Sequence, residues 1–349
     1  MKLAVVLFNL GGPDSLEAVS PFLVNLFSDP AIIRLPSIAR RPLARFIAWR
    51  RLPLARQFYA EMGGRSPILP ETERQAAALE AALKKKGYEA KCFIAMRYWH
   101  PFVEEAAANV KAFGADNVVL LPLYPQFSTT TTQSSREVWQ RCAKALKLSA
   151  RQNEVCCYPT EQGFVAAIVE GLRQALGRTK PSLSYRVLFS AHGLPKSIVN
   201  AGDPYQWQVE RTVEAVLAHF GRSELDSMTC YQSRVGRLEW IGPSTESEIH
   251  RAGQEGKGLI VVPVAFVSEH SETLVELDIT YARLAREAGV PDYLRVPTVR
   301  DNDHFITGLA GLVIAALNAN KPVSCVPGRL CPSDRVCGQE RITRRGKHA

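Results

Sequence analysis

The chain of 349 residues is 46% hydrophobic and 22% charged, the composition of an ordinary globular protein long enough for one large or two modest domains. No stretch approaches the roughly 18 uncharged apolar residues of a membrane span, and the opening MKLAVVLFNLGGPDS lacks a signal peptide's longer apolar region and cleavage site, so a cytoplasmic protein is expected. A formal net charge of +9 favours acidic partners without naming one, leaving nucleic acid, anionic lipid and acidic small molecules open.

The first apolar run, LAVVLFNL (3–10), is unbroken rather than alternating in polarity, as a strand covered on both faces is. It is followed by AIIRLPSIARRPLARFIAWRRLPLARQFY (31–59), in which Arg34, Arg40, Arg41, Arg45, Arg50, Arg51 and Arg56 stand among leucine, isoleucine, phenylalanine and tryptophan. Solvated arginines on a surface helix account for this stretch without further function. It also suits an apolar, basic lip that rests on anionic membrane and admits a flat, carboxylate-bearing molecule. A groove for single-stranded nucleic acid mixes arginine with aromatics too, but no binding fold for it is recognisable around the segment.

Helix-compatible stretches follow at 71–87, 136–148, 162–177 and 205–221, several closed by a glycine, and between them lie the runs NVVLLPLY (117–124), RVLFSA (186–191) and GLIVVPVAFV (258–267). Strands that alternate with helices imply an α/β fold with a parallel sheet covered by helices on both sides. VVLFNLGGP resembles RVLFSAHGLP, and VVLLPLYPQFSTTTT resembles IVVPVAFVSEHSETL, so two similar lobes are expected, at 1–160 and 161–318, with an extension at 319–349. Functional groups should then gather at the carboxyl ends of the strands, in the crevice between the lobes.

Two histidines do fall at such ends. His192 follows RVLFSA, and His270 follows GLIVVPVAFV within SEHSETLVELD (268–278), accompanied by Glu269, Glu272, Glu276 and Asp278. Each alone reads as an ordinary loop histidine, and acidic residues suit the first turn of any helix. If the segment after Ser271 is helical, however, Glu272 and Glu276 share a face, and like charges at that spacing repel unless a metal ion or a relayed proton lies between them. Histidine with carboxylates suits ferrous iron in transit. The pattern is not H-E-x-x-H, which argues against a zinc protease.

The residues are similar to those of the ferrochelatase family, which inserts ferrous iron into a porphyrin. The likeness covers about 1–318 and rests on NLGGP (9–13), GGRSPI (63–68), MRYWHP (96–101), LYPQFSTTTT (123–132), SAHGLP (190–195), GDPY (202–205), YQSRVG (231–236), WIGP (240–243) and SEHSETLVELD, in that order. The resemblance implies two Rossmann-like lobes around a porphyrin cleft, with protoporphyrin IX and Fe²⁺ as substrates. It makes His192 the proton acceptor and Glu272 its acidic partner, with His270 and Glu276 on the same polar wall. Arg97 and Tyr98 match positions on the metal side of the pocket, Arg50, Arg51, Tyr59 and Ser66 positions near the porphyrin propionates, and Trp240 a cleft-lining position. A peripheral membrane habit is expected, nucleic acid is not, and a homodimer is possible. Insertion of cobalt or nickel, use of coproporphyrin, and a porphyrin-binding redox sensor without turnover are the alternatives.

Eight cysteines in a cytoplasmic chain of this size do not read as a disulfide framework. Cys92, Cys142 and Cys230 are scattered, whereas Cys325, Cys331 and Cys337 crowd a Pro- and Gly-rich tail. Three ligands do not complete a [2Fe–2S] or structural zinc site, so a fourth must come from elsewhere. Some ferrochelatases bind a [2Fe–2S] cluster through three C-terminal cysteines and an internal one, and the tail looks like that variant. The chain departs from the animal pattern by carrying Thr129 at the usual internal position, and its tail spacing also differs. The vicinal pair Cys156-Cys157 is the expected donor, with Cys157 chosen; zinc and free thiols remain the alternatives. The end, RITRRGKHA, is basic and expected to lie outside the packed fold.

Overall fold

The structure is a computed structural model that describes residues 2–221, 225–234, 236 and 238–340; the basic end at 341–349 and Val235 of the YQSRVG motif lie outside the described residues. In the first lobe the strands are β1 (Leu3–Asn9), β2 (Ala90–Met96), β3 (Asn117–Pro122) and β4 (Arg151–Cys157). In the second they are β5 (Tyr185–His192), β6 (Ser227–Gln232), β7 (Gly258–Pro263) and β8 (Tyr293–Arg295). A short β9 (Val323–Ser324) returns from the tail to pair with β4.

All these pairings are parallel. The first sheet runs β2-β1-β3-β4-β9 and the second β6-β5-β7-β8, so the two lobes share one wiring, in which β5 plays the part of β1 and β7 that of β3. The repeat read from VVLFNLGGP and RVLFSAHGLP is therefore the repeat of the two central strands.

The unbroken apolar runs have a direct cause. Every residue of β1 is buried: Leu3, Val5 and Leu7 face a core that also holds Val187, Phe189, Ile260 and Val262 of the second lobe, while Ala4, Val6 and Phe8 face the opposite cluster with Val103, Val138 and Trp139. A polar residue on either face would forfeit about 1.5–3 kcal/mol of burial, so alternation is not tolerated. β7 divides in the same way, with Ile260 and Val262 in the shared core and Leu259 and Val261 in the outer cluster of the second lobe.

Helices Gln162–Leu176 and Asp303–Leu317 pack on each other within the shared core. The second of these also lies on helix Ile68–Lys85 and on β3 and β4, so the last helix before the tail rests on the first sheet. Helix Tyr205–Phe220 ends at Gly221, which takes the left-handed conformation (φ 77°) that favours glycine.

Helix Ser37–Glu61, with Pro42 and Pro53 inside it, covers the first lobe through Ala48 and Tyr59, which pack with Val19, Phe22 and Leu23 of helix Val19–Phe27. Its other side leaves Ile38, Phe46, Trp49 and Leu54 in solvent, Trp49 at 70% exposure. The segment after Ser271 is helical, as expected, but over Glu272–Tyr281 it is a π-helix of ten residues rather than an α-helix.

Candidate active site

β5 ends at His192, β6 at Gln232 and β7 at Pro263, so the carboxyl edge of the second sheet presents these positions side by side. The loop after β7 then turns into the π-helix and brings its acidic face over the end of β5. His192 Nδ1 lies 3.1 Å from Glu272 Oε2, and His270 Nε2 lies 3.5 Å from the same oxygen. One carboxylate thus faces two imidazoles. Burial alone would favour a neutral Glu272, but the charges and hydrogen bonds of His192 and His270 hold its carboxyl well below the usual carboxylate range. Burial likewise lowers the basicity of His192, and the adjacent Glu272 charge more than offsets it, leaving the imidazole above its ordinary value.

An ionised Glu272 fixes the histidine tautomer. Nδ1 carries the hydrogen that is donated to the carboxylate, which leaves Nε2 with a lone pair to accept a proton. His270 is held by its backbone N–H to Thr273 Oγ1 (3.0 Å) and by its ring against Phe266, 4.6 Å between centroids.

The four carboxylates of SEHSETLVELD do not act together. Glu269 is buried and bound to Arg295 Nη1 at 2.7 Å, and Asp278 binds the same guanidinium at 2.5 Å, so Arg295 of β8 draws two of the four out of the cleft. Glu276 accepts from Gln232 Nε2 (3.0 Å), from the Ser233 backbone N–H (2.9 Å) and from the Ser233 hydroxyl. Ser233 sits in the left-handed region at φ 61°, a strained conformation for serine that turns both its donors onto one carboxyl. Burial, followed by the charge of Glu272, pushes the Glu276 carboxyl above its ordinary value.

The remaining expected site residues fall into separate groups. Tyr59 is buried beside Ser271 and Glu272, with its phenol pushed up to about 12, chiefly by burial. Ser66 packs against Gly12 of NLGGP, where an added Cβ would meet its Oγ at 2.5 Å, so that glycine permits the close approach. Trp240 lies over Gly193, next to His192; a Cβ there would stand 2.9 Å from the Gln232 carbonyl oxygen and 3.3 Å from the indole, so the glycine admits the close approach of β6 as well as the indole. Arg51 rests over the Phe27 ring, while Arg50 is exposed and lines a groove of about 420 Å³ with Phe46, Trp49 and Pro53.

Arg97 and Tyr98 follow β2 and converge on a buried carboxylate that sequence reasoning did not single out. Asp29 Oδ2 accepts from Arg97 Nη2 (2.7 Å), Tyr98 Oη (2.8 Å) and Ser134 Oγ (2.6 Å). Gln232, Ser233 and Arg295 were also missed. Gln232 and Ser233 lie within YQSRVG but were given no role there, and a lone arginine in DYLRVP carries no local signal, because their roles arise only when β6, β8 and the π-helix meet.

The tail thiols gather near the Cys156-Cys157 pair. Gln208 Nε2 reaches both Cys157 Sγ (3.5 Å) and Cys331 Sγ (3.2 Å), and Cys325 Sγ lies 3.3 Å from Thr160 Oγ1. Thr129 points elsewhere, giving its hydroxyl to Asp203 Oδ2 at 2.6 Å. Among the described residues, no three histidine, cysteine, aspartate or glutamate side chains are drawn together closely enough to hold a metal ion.

Comparison with known proteins bears on the chain as a whole. A family model described as Ferrochelatase matches residues 2–317. A ferrochelatase of Caulobacter vibrioides is 55% identical over 336 residues, covering 95% of this chain and 96% of the relative, and one of Phenylobacterium zucineum is 54% identical with the same coverage. Among solved structures, SirB from Bacillus subtilis with Fe³⁺ superposes with a TM-score of 0.52 over 92% of this chain and 97% of its own, at 14% identity, which shows the shared fold.

Proposed function

The chain belongs to the ferrochelatase family, and from that premise we propose that it inserts Fe²⁺ into protoporphyrin IX to form protohaem, with His192 as the proton acceptor and Glu272 as its acidic partner. It is therefore an enzyme of the lyase class, a metal chelatase. The observation that carries the residue assignment is the 3.1 Å contact between His192 Nδ1 and Glu272, which leaves His192 Nε2 free to take a proton.

Metal insertion requires the loss of two pyrrole protons as the iron arrives. His192 Nε2 takes a proton from the macrocycle, and the resulting imidazolium is stabilised by the Glu272 carboxylate already hydrogen-bonded to its other nitrogen. His270 on the opposite side of Glu272 keeps that carboxylate ionised and oriented. Apolar walls that bend the ring toward the inserting geometry lower the barrier by binding the distorted form better than the flat one. Tyr59, Ser66, Arg50, Arg51 and Trp240 are assigned to the macrocycle and its carboxylates. Arg97 and Tyr98, braced on Asp29, are assigned to the metal side.

The reading is tested by anaerobic incubation with Fe²⁺ and protoporphyrin while the haem spectrum is followed. His192→Ala is expected to fold and bind porphyrin but lose insertion by about 10²–10⁴-fold. An unchanged insertion rate would rule His192 out as the base. Parallel reactions with coproporphyrin, Co²⁺ and Ni²⁺ define the substrate pair.

Cys157, Cys325, Cys331 and Cys337 are assigned as ligands of a [2Fe–2S] cluster. Two of these thiols, Cys157 and Cys331, share the Gln208 amide, and Thr129 is already committed to Asp203; the four supply the right ligand chemistry but would have to be drawn closer together to hold the cluster. Such a cluster would supply a cross-link between tail and first lobe and a one-electron redox centre. Burial leaves the Cys325 and Cys331 thiols above their ordinary values, so they must lose protons when iron binds. The absorption spectrum of protein purified without air reports the assignment, and Cys157→Ser is expected to abolish the cluster signal where Cys156→Ser does not.

The lip of helix Ser37–Glu61 is assigned to a peripheral contact with anionic membrane. Exposed Ile38, Phe46, Trp49 and Leu54 are interleaved with Arg41, Arg45 and Arg50, and no helix among the described residues is long and apolar enough to cross a membrane. Co-sedimentation with anionic vesicles tests this contact.

A further inference from the structure

The third group on the acidic face of the π-helix is Tyr281, and its hydrogen bonds do not balance with two ionised carboxylates. Tyr281 Oη lies 2.9 Å from Glu246 Oε1 and 3.0 Å from Glu276 Oε1. A phenol has one proton to donate, so only one of these contacts is a phenol hydrogen bond. The other short oxygen–oxygen contact needs a proton on a carboxyl group. Tyr281 itself does not ionise to resolve the matter, because burial and the two neighbouring carboxylates push its phenol far up.

The π-helix is what makes this alignment. Tyr281 is nine residues after Glu272, which in an α-helix of about 3.6 residues per turn is two and a half turns, on the opposite face. The wider i→i+5 winding spends more residues on each turn and brings Glu272, Glu276 and Tyr281 onto one side. Glu246 completes the row from another element, in the first turn of helix Thr245–Gln254, where the helix dipole favours a carboxylate. It is half-buried, whereas Tyr281 is enclosed by Leu188, Cys230, Ile249 and Leu277. The groups facing Glu276 are Glu272 on its own helix, His192 of β5, Gln232 and Ser233 at the end of β6, Tyr293 of β8, and Glu246 through Tyr281.

We propose that Glu276, Tyr281 and Glu246 share one stored proton and form a relay that carries pyrrole protons from the His192–Glu272 pair out to solvent at Glu246. The inference rests on the assignment of His192 as the base. In the step, the Glu276 carboxyl proton moves to the phenol oxygen as the phenol proton moves to the Glu246 carboxylate. Glu246 then releases its proton to solvent. Glu276, left as a carboxylate, takes the next proton from the cleft, and no oxidant or reductant is needed. A buried phenol passes protons and does not pass a divalent cation, so this branch is assigned to proton exit and not to iron entry.

The test uses the full chain with Fe²⁺ and protoporphyrin, anaerobically, in H₂O and D₂O. Tyr281→Phe and Glu246→Gln are each expected to lower kcat by about tenfold, to leave KM for Fe²⁺ unchanged and to raise the solvent isotope effect. A merely structural loss would not change the isotope effect, and Glu246→Gln, at a half-buried position, serves if Tyr281→Phe fails to fold. Independently of turnover, infrared difference spectra at neutral pH should show a protonated carboxyl band that shifts in D₂O and is absent from Glu276→Gln. Wild-type kcat and isotope effects in both variants, or no such band, would overturn the relay while a dead His192→Ala leaves the base assignment standing. If His192→Ala turns over normally, the base assignment falls and the relay with it.

Discussion

The Glu272 carboxylate lies between His192 Nδ1, at 3.1 Å, and His270 Nε2, at 3.5 Å, so its charge is fixed by two imidazoles at once. As the proposed base, His192 must be neutral to act, and Glu272 holds it above the ordinary histidine value against the opposing effect of burial. The acid limb of the insertion rate should therefore appear above that value in the wild type. In Glu272→Gln the burial effect remains and the charge is gone, so the limb should move to lower pH while kcat falls. The pH dependence of kcat in both proteins checks this, and a limb that stays in place would mean that a different group sets it.

The sign for stability runs opposite to that for activity. His192 with a raised folded-state value contributes stability below the unfolded histidine value, and that contribution is lost as pH rises through the folded-state value. Glu272, held low, contributes stability above the unfolded carboxylate value and loses it as pH falls through its folded-state value. Between these two windows the pair is intact, so melting temperature against pH should flatten over that interval in the wild type. In Glu272→Gln the curve should lose its carboxylate limb.

A second relationship fixes the two lobes to each other directly behind the site. Glu71 Oε2 accepts the backbone N–H of Glu269 at 2.7 Å, and one turn along the same helix Gln75 Nε2 donates to the carbonyls of Val267 and Arg300, both at 2.9 Å. The first lobe thus grips the segment that ends in His270. Glu71→Ala leaves the buried Glu269 N–H without an acceptor and should cost about 1–3 kcal/mol. It should also lower kcat, because His270 and Glu272 lose their fixed distance from the first lobe. Glu71→Gln keeps an acceptor oxygen and should recover most of both losses, as thermal unfolding and insertion rates together would show.

What could be read without coordinates divides along physical lines. β1, β3, β5 and β7 are buried on both faces, which forces long apolar runs, and the shared wiring of the lobes surfaced as the likeness of VVLFNLGGP to RVLFSAHGLP. β2 and β6 were missed because KCFIAM and SMTCYQ carry polar residues on positions that are only partly covered. The charge conflict between Glu272 and Glu276 was legible from their spacing. Its resolution was not, since it depends on imidazoles from two different segments and on a phenol brought round by a π-helix, a winding that no propensity announces. Asp29 was equally invisible: its role exists only because Arg97, Tyr98 and Ser134 arrive at one buried oxygen from other elements.

The tail offers a test of whether its thiols are held closed by packing. Arg136 Nη1 donates to the Gly338 carbonyl at 3.0 Å, and an added Cβ on Gly338 would stand 2.5 Å from the Phe127 ring and 3.1 Å from Cys156 Cβ. Phe127 and Cys156 are both fully buried, so neither has room to retreat. Gly338→Val should lift the end of the tail from β4 at a cost of about 1–3 kcal/mol for overpacking. In protein without a cluster, Cys156 and Cys157, shielded in the wild type, should then react with a thiol reagent under native conditions. A time course with an aromatic disulfide reagent, read with peptide mapping, measures this directly. Equal labelling of the two proteins would show that the tail does not cover the pair, and faster labelling confined to Cys156, Cys157 and Cys337 would place the cover at Gly338.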